Sequence, residues 1–119
     1  MHELALCRSI SRIGLRACNG RRVHQVTIDV GALRQVVTPA LVQCWGFVTA
    51  DTLLAESRLV VNDIPAVITC QQCGVSTTLH QPFMVCGGCG SKDVSVVSGR
   101  EFMVRSIDVD DAPSGDKER

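Results

Sequence analysis

The sequence predicts an α+β fold in which a small three-stranded sheet is covered by two helices and carries an inserted zinc-ribbon-like domain. Two observations lead to this prediction. Helical and strand-like apolar periods alternate along the first half of the chain, and two copies of Cys-x-x-Cys-Gly stand in the second half. A length of 119 residues suits one domain, or one small domain with a metal-held insert.

Two helices are predicted from the spacing of apolar residues. Between Leu4 and about Asn19, the residues that recur at helical spacing are Leu6, Ile10, Ile13 and Ala17. Thr38-Pro39 predicts an N-cap followed by proline at the first helical position. The helix that it opens is expected to bury one face, formed by Leu41, Cys44, Trp45 and Val48.

Three strands complete the predicted domain. Val26, Ile28 and Val30 alternate with polar residues, which is the period of a half-buried strand. A second strand is predicted from Arg58 to about Ile64, and a last one from Phe102 to Val109. We expect the last strand to return to the main sheet beside one of the first two. The expected division is therefore an α/β domain of residues 1–65 and 99–110, a zinc-binding domain of residues 66–98, and a flexible tail of residues 111–119.

Two identical metal knuckles are the strongest motif of the chain: Cys70-x-x-Cys73-Gly74 and Cys86-x-x-Cys89-Gly90. A two-residue spacer lets both thiolates of a pair reach one ion, and two pairs form one closed tetrahedral site. Zinc is the expected ion, because it is commoner than iron in closed structural sites. Duplication of the motif and an odd total of seven cysteines argue against a disulfide framework. Such a saturated site indicates a structural role.

Composition excludes several functional classes. Twelve basic and twelve acidic residues cancel, and few aromatic residues accompany them, so nucleic acid is not an expected partner. No apolar run approaches the roughly 20 residues of a membrane span, and no export leader is recognisable. We therefore expect a cytoplasmic protein that does not bind membranes. It is not expected to be an enzyme, because no Ser/His/Asp or paired-carboxylate set stands out and paired knuckles suit thiol exchange poorly.

The opening tripeptide Met1-His2-Glu3 is a second candidate metal site. The free α-amine and the deprotonated amide nitrogen of His2 can form a five-membered chelate ring, and the imidazole Nδ1 of His2 closes a six-membered ring with the same amide. Three nitrogens in one plane suit Ni(II) or Cu(II) and suit Mg, Ca or Zn poorly. Glu3 would supply a fourth donor from its amide or its carboxylate. The site would be open and exchangeable, as metal transfer requires.

Other metal-ligating residue types are assigned to packing. Cys7, Cys18 and Cys44 are predicted to be small core residues, although Cys7 lies just over one helical turn from His2. His24 is expected to be partly buried and hydrogen-bonded. His80 is expected at a hairpin tip between the knuckles, and Trp45 as a core anchor of its helix.

These features together resemble the HypA/HybF family of hydrogenase maturation proteins, which are nickel metallochaperones. The resemblance covers Met1 to about Asp110 and lies in Met1-His2-Glu3-Leu4 with Leu6-Cys7, in Gly31, in both knuckles with Ser91, and in Val97-x-Gly99-x-Glu101. The chain departs from the family at Gly87, where proline is common, and at Arg8, Arg12 and Arg16, where acidic residues are common. We expect the first departure to loosen a turn without removing a ligand.

The resemblance implies a nickel-binding α/β domain with an inserted zinc domain. It implies nickel ligands from the Met1 amine, the His2 imidazole and main chain, and the Glu3 main chain or side chain. Cys70, Cys73, Cys86 and Cys89 would bind zinc. The implied function is delivery of nickel to the large subunit of a [NiFe] hydrogenase, with a nickel-binding GTPase as partner and, in some organisms, delivery to urease. The alternative is a zinc-ribbon adaptor that binds protein or nucleic acid and carries no metal cargo.

Overall fold

The computed structural model describes residues 2–81 and 83–110. The predicted tail, residues 111–119, lies outside the described residues. Within the described part, helices and strands follow in this order: α1 (Glu3–Ala17), β1 (Val23–Gly31), a short 3₁₀ helix (Ala32–Arg34), α2 (Thr38–Thr49), β2 (Arg58–Ile64), β3 (Ala66–Cys70), β4 (Ser76–Leu79), β5 (Val94–Ser98) and β6 (Phe102–Val109). The predicted helices and the three predicted strands are confirmed.

The strands form two three-stranded sheets, with the orders β2-β1-β6 and β4-β3-β5. In the first sheet β6 returns beside β1, as expected. Hydrogen bonds join Gly31 N to Glu101 O at 2.7 Å and Asp110 N to Arg22 O at 3.0 Å, so these two strands run antiparallel. In the second sheet β3 lies between β4 and β5 and is antiparallel to both. An α+β fold with a ribbon-like second sheet is therefore confirmed.

The chain folds into two compact units. The first contains the residues up to Ile28, then Val36–Asn62, and those from Met103 onward, and the second contains Asp29–Gln35 and Asp63–Phe102. Each unit has its own buried apolar residues. In the first unit they are Cys7, Ile10, Cys18, Val23, Val26, Ile28, Leu41, Trp45, Leu54 and Leu59, and in the second Val30, Ala66, Ile68, Cys70 and Cys86.

The two helices pack against each other within the first unit. The Cys7 thiol on α1 donates a hydrogen bond to the carbonyl oxygen of Leu41 on α2, at 3.2 Å. Gly14 lies against Leu54, whose side chain is 3.1 Å from the position that a Cβ at Gly14 would take. Trp45 is buried, and its indole Nε1 donates to Ser57 Oγ at 2.9 Å. The predictions for Cys7 and Trp45 as core residues are confirmed.

The start of α2 differs from the sequence prediction. Val37, and not Thr38, is the N-cap, and no cap hydrogen bond comes from its own side chain. A carboxylate from α1 lies at this end of the helix instead, because Glu3 Oε2 accepts a hydrogen bond from the Val37 N–H at 3.0 Å. A negative group at a helix N-terminus is stabilising. The Thr38 prediction was wrong because a distant side chain replaced the local one.

In the second unit, backbone segments approach closely around three small residues. A Cβ at Gly31 would lie 2.0 Å from the carbonyl oxygen of Gly99, and a Cβ at Gly99 would lie 2.7 Å from Ala66 Cα. Gly99 also has a φ of +116°, which L side chains rarely adopt. The Glu101 carboxylate accepts a hydrogen bond from the Gly99 N–H at 2.8 Å. Only glycine fits at positions 31 and 99.

None of the helices in the described part of the chain is long and apolar enough to span a membrane.

Replacing Gly31 by Ala is expected to lower the free energy of unfolding by about 3 kcal/mol, because backbone atoms beside the new methyl group must move. Gly46→Ala in α2 is the matched control. No heavy atom lies within 4 Å of the position that its added methyl group would take, so it should be stabilising by about 0.5–1 kcal/mol. Urea unfolding followed by circular dichroism measures both changes. Equal stability of the two variants would contradict the close approach.

Candidate metal centre

The sulfur atoms of Cys70, Cys73, Cys86 and Cys89 converge on one point, with all four within 4.8 Å of one another. Two of the distances, Cys70–Cys89 and Cys73–Cys86, are 3.6 Å. Four sulfurs at about 2.3 Å from a zinc ion would be about 3.8 Å apart at tetrahedral corners. All seven cysteines of the chain are free, and 3.6 Å is much longer than a disulfide bond. The cluster thus has the size of a four-thiolate metal site.

The two knuckles have the same local geometry. In each, the backbone N–H groups two and three residues after the first cysteine point at its sulfur: from Gln72 and Cys73 to Cys70 at 3.3 and 3.4 Å, and from Gly88 and Cys89 to Cys86 at 3.2 and 3.4 Å. Each turn then closes with a glycine N–H on the carbonyl oxygen of that cysteine, at 3.0 Å. Gly74 and Gly90 have φ values of +77° and +78°, which explains the glycine that ends each motif.

These N–H groups stabilise negative charge on sulfur. The N–H of Cys89, followed by that of Gly88, lowers the pKa of Cys86 to about 6. The N–H of Cys73 likewise lowers the pKa of Cys70, although burial acts in the opposite direction. The thiolate is the metal-binding form of cysteine. The turn of each knuckle therefore favours the negatively charged, metal-binding form of its first cysteine.

A second layer of hydrogen bonds holds the knuckles on the ribbon sheet. Gln71 donates to Ser95 Oγ at 2.8 Å, and Gln72 donates to Asp93 Oδ2 at 3.2 Å. The N–H of Gly87 donates to Thr77 Oγ1 on β4 at 3.0 Å. Proline at position 87 would have no N–H for this bond. The departure at Gly87 thus gives the second knuckle an added contact rather than only a looser turn.

Sequence reasoning did not identify Thr77 as part of the centre. It lies ten residues before Gly87 on a strand whose pairing no spacing rule indicates, and it reaches the knuckle only because β4 folds back along β3. The role of Glu3 at α2 was also missed, because its partner Val37 is 34 residues away.

At the amino terminus, Met1 lies outside the described residues. His2 is exposed and is the N-cap of α1, with its carbonyl oxygen accepting the first helical hydrogen bond from Leu6 N at 2.9 Å. Glu3 is the first residue of α1, only 9% exposed, with its carboxylate directed to Val37. Among the described residues, only the four cysteines of the cluster form a group of three or more His, Cys, Asp or Glu side chains whose ligand atoms are close enough to bind one metal ion.

The remaining cysteines and histidines are not part of the cluster of sulfurs. Cys7 and Cys18 are buried and Cys44 is half-buried; burial, then Cys44 and Glu3, raises the pKa of Cys7 to about 11. His80 follows β4, whose register pairs Leu79 with Ala66 and Ser76 with Thr69. His80 is thus at the end of the ribbon opposite the knuckles, which agrees with its expected place at the tip of the segment that leads away from one knuckle and returns to the other.

His24 differs in part from its prediction. Its Nε2 is hydrogen-bonded to Asp110 Oδ1, as expected of a bonded histidine, but 59% of its side chain is exposed. The alternation of burial in β1 changes phase between Val23 and Val26, both fully buried. The prediction that His24 would be buried on the same face as Val26, two residues later, was therefore wrong.

Comparisons with known proteins match this chain to one family. A family model described as "Hydrogenase/urease nickel incorporation, metallochaperone, hypA" matches residues 1–109. A hydrogenase maturation factor HypA of Geobacter metallireducens is 36% identical over 110 residues, covering 92% of this chain and 100% of that protein. One of Acidithiobacillus ferrooxidans is 34% identical over 113 residues, again covering 92% and 100%.

The fold also matches a solved structure. The solution structure of the Ni metallochaperone HypA from Helicobacter pylori gives a TM-score of 0.61 at 18% identity, covering 92% of this chain and 97% of that one. The range matched by the family model, residues 1–109, contains both knuckles and the opening tripeptide of this chain. This chain therefore belongs to the HypA family of nickel-incorporation metallochaperones, which are non-enzymatic factors of hydrogenase maturation.

Proposed function

We propose that this metallochaperone binds Ni²⁺ at its amino terminus and delivers it to the large subunit of a [NiFe] hydrogenase, while the four cysteines hold a structural Zn²⁺. The observation that carries the proposal is the contrast between two donor sets. Four sulfurs form a closed cluster, whereas His2 stands exposed at the free end of a helix. A closed site suits retention of an ion, and an open one suits exchange.

The nickel donors would be the Met1 amine, the amide nitrogen of His2, its imidazole, and the main chain of Glu3. The position of His2 as N-cap supports the use of amide nitrogens. Helix geometry gives no intrahelical acceptor to the first N–H groups, so deprotonating one breaks no helical hydrogen bond. The His2 carbonyl already accepts from Leu6, which anchors the chelate to α1.

For Glu3, the nitrogen is a better candidate ligand than the carboxylate. Its carboxylate already accepts a hydrogen bond from Val37 and is largely buried. Moving it to a metal would uncover the N-terminus of α2, whose N-cap residue supplies no side-chain cap. A main-chain donor leaves this contact intact and completes a planar nitrogen set of the kind that Ni(II) accepts.

Zinc is the proposed ion of the cysteine cluster. Four thiolates at tetrahedral spacing suit zinc, which in such sites supplies folding free energy and has no open position for chemistry. One Zn²⁺ ion and four thiolates would give the centre a net charge of about −2. The four N–H···S contacts offset part of this negative charge.

The partners proposed from family membership are the nickel-binding GTPase of hydrogenase maturation and the hydrogenase large subunit, with urease maturation proteins in organisms that have urease. We place this exchange in the cytoplasm, where the thiolates stay reduced. An adaptor without cargo would need neither the Met1 amine nor His2, and this difference decides between the two functions.

Cys86→Ser is expected to abolish the binding of about one zinc per chain and to expose the amides of β3, β4 and β5 to hydrogen exchange, because the ribbon loses its ion. Cys44→Ser removes a thiol outside the cluster, so this variant should still bind zinc, and its ribbon amides should stay protected from hydrogen exchange. Elemental analysis after gel filtration, together with hydrogen–deuterium exchange, measures the two effects. Full zinc content in Cys86→Ser would contradict the assignment.

His2→Ala should weaken nickel binding by at least about 100-fold, because it removes the imidazole and one chelate ring. His80→Ala removes another exposed imidazole and should bind nickel as the wild type does. The measurement is a nickel titration of zinc-loaded protein that begins at Met1 and carries no N-terminal tag. Equal uptake by His2→Ala and wild type would remove the proposed site.

Nickel affinity should rise with pH between about 6 and 8. The ion competes with protons for the amine, the imidazole and the amide, so lower pH favours the proton and releases nickel. Competition titrations against a chelator of known pH dependence, run at fixed ionic strength, give the slope. An affinity that does not change over this interval would exclude nitrogen donors.

A further inference from the structure

We propose that the exposed face of α1 is a docking surface for an acidic surface on the protein that exchanges nickel with this chain. We call this face the arginine stripe and define it by Arg8, Arg12 and Arg16. The inference rests on the proposed function, since it concerns the partner of the same amino-terminal site.

The three arginines form one row along the helix. Their spacing of four residues places them on neighbouring turns of a single face. All three are exposed, while the opposite face of α1 carries the buried residues Cys7, Ile10 and Gly14. Because the opposite face of α1 is packed in the core, the face that carries the arginines is directed to solvent.

The positive charge of the stripe is not neutralised by any described group of this chain. Within residues 2–81 and 83–110, the side chains of Arg8, Arg12 and Arg16 take part in no hydrogen bond or ion pair. The only acidic residue of α1 is Glu3, which is turned to Val37. Like charges four residues apart destabilise a helix, so this row has a cost for folding that a partner would remove.

Exposed apolar side chains border the stripe on both sides. On a helical projection, Leu4 and Leu15 lie beside Arg8, and Ile13 lies beyond Arg16; they are 39%, 38% and 49% exposed. Arginine together with apolar groups is characteristic of protein interfaces. Carboxylates on the partner would pair with the guanidinium groups, and apolar side chains beside them would cover the two flanks.

Nucleic acid and membrane are less suitable occupants. The whole chain has equal numbers of basic and acidic residues, and α1 has no aromatic side chain for base stacking. A membrane-bound helix would insert its apolar face into lipid, but here that face is buried in the core. An acidic protein surface remains the occupant that matches both the charge and the flanks.

The stripe is also suitably placed for transfer. It begins within two turns of His2, and α1 itself starts at Glu3. A partner seated along α1 would therefore lie beside the proposed nickel ligands, so that docking brings donor and acceptor sites together without a separate movement of the chain.

The test measures binding of the zinc-loaded, full-length chain to the purified nickel-binding GTPase and to the hydrogenase large subunit, by isothermal titration at several salt concentrations. We expect the triple variant Arg8→Glu, Arg12→Glu and Arg16→Glu to bind at least about tenfold more weakly than wild type at about 0.1 M salt, because it places like charges opposite each other. Wild-type affinity should fall as salt screens the contact.

The matched control reverses three exposed basic residues elsewhere: Arg58→Glu, Lys92→Glu and Arg100→Glu. It changes the net charge of the chain by the same amount and should bind nearly as wild type does. Nickel uptake should be unchanged in both triple variants, since the His2 site is intact. Thermal unfolding verifies that both variants are folded, and the neutral triple Arg→Gln variant replaces the charge reversal if α1 is destabilised.

Three outcomes of the protein-binding measurements would overturn the proposal. They are binding by the stripe variant equal to that of wild type, equal losses in the stripe and control variants, and binding of wild type to neither protein. Loss of binding to DNA or to vesicles with anionic lipid, without loss of binding to the two proteins, would also overturn it. Failure of the proposed nickel site would appear separately, as normal nickel uptake by His2→Ala.

Discussion

The convergence of four sulfur atoms is the constraint on which the second unit depends. The ribbon strands β3, β4 and β5 have only four or five residues each, and the unit has few buried apolar residues besides the cysteines. Such a small core gives little stability by itself. Four thiolates within 4.8 Å of one another repel without a cation. A bound ion reverses this repulsion and contributes binding energy, about 10–16 kcal/mol in zinc-finger peptides.

The first unit depends on ordinary packing of apolar side chains, and its amino terminus is tied to that core. The Cys7 thiol and the Glu3 carboxylate both reach α2, at Leu41 and Val37. A frayed terminus would have to be ordered for every binding event, at an entropic cost. Here Glu3, the residue after His2, is already fixed by its contact with Val37, so a chelate at the terminus would begin at an ordered residue. This arrangement allows an exposed metal site with a defined position.

Much of the fold could be predicted from the sequence because its signals are local. Apolar periods predicted both helices and three strands, and the duplicated knuckle predicted the sulfur cluster. The errors arose where a distant residue replaced a local signal. Val37 took the N-cap position of α2 that Thr38 was expected to hold, and its N–H donates to the carboxylate of Glu3, 34 residues away. The phase change in β1 that exposed His24 lies between Val23 and Val26, and the regular two-residue alternation from Val26 to Val30 does not indicate it.

The most direct test of a division between an amino-terminal nickel site and a sulfur site for zinc is a nickel X-ray absorption spectrum of zinc-loaded protein that begins at Met1. We expect a planar shell of nitrogen donors with no sulfur at nickel, and loss of that shell when the α-amine is acetylated. A nickel spectrum with sulfur scatterers, or one unchanged by acetylation, would contradict this division.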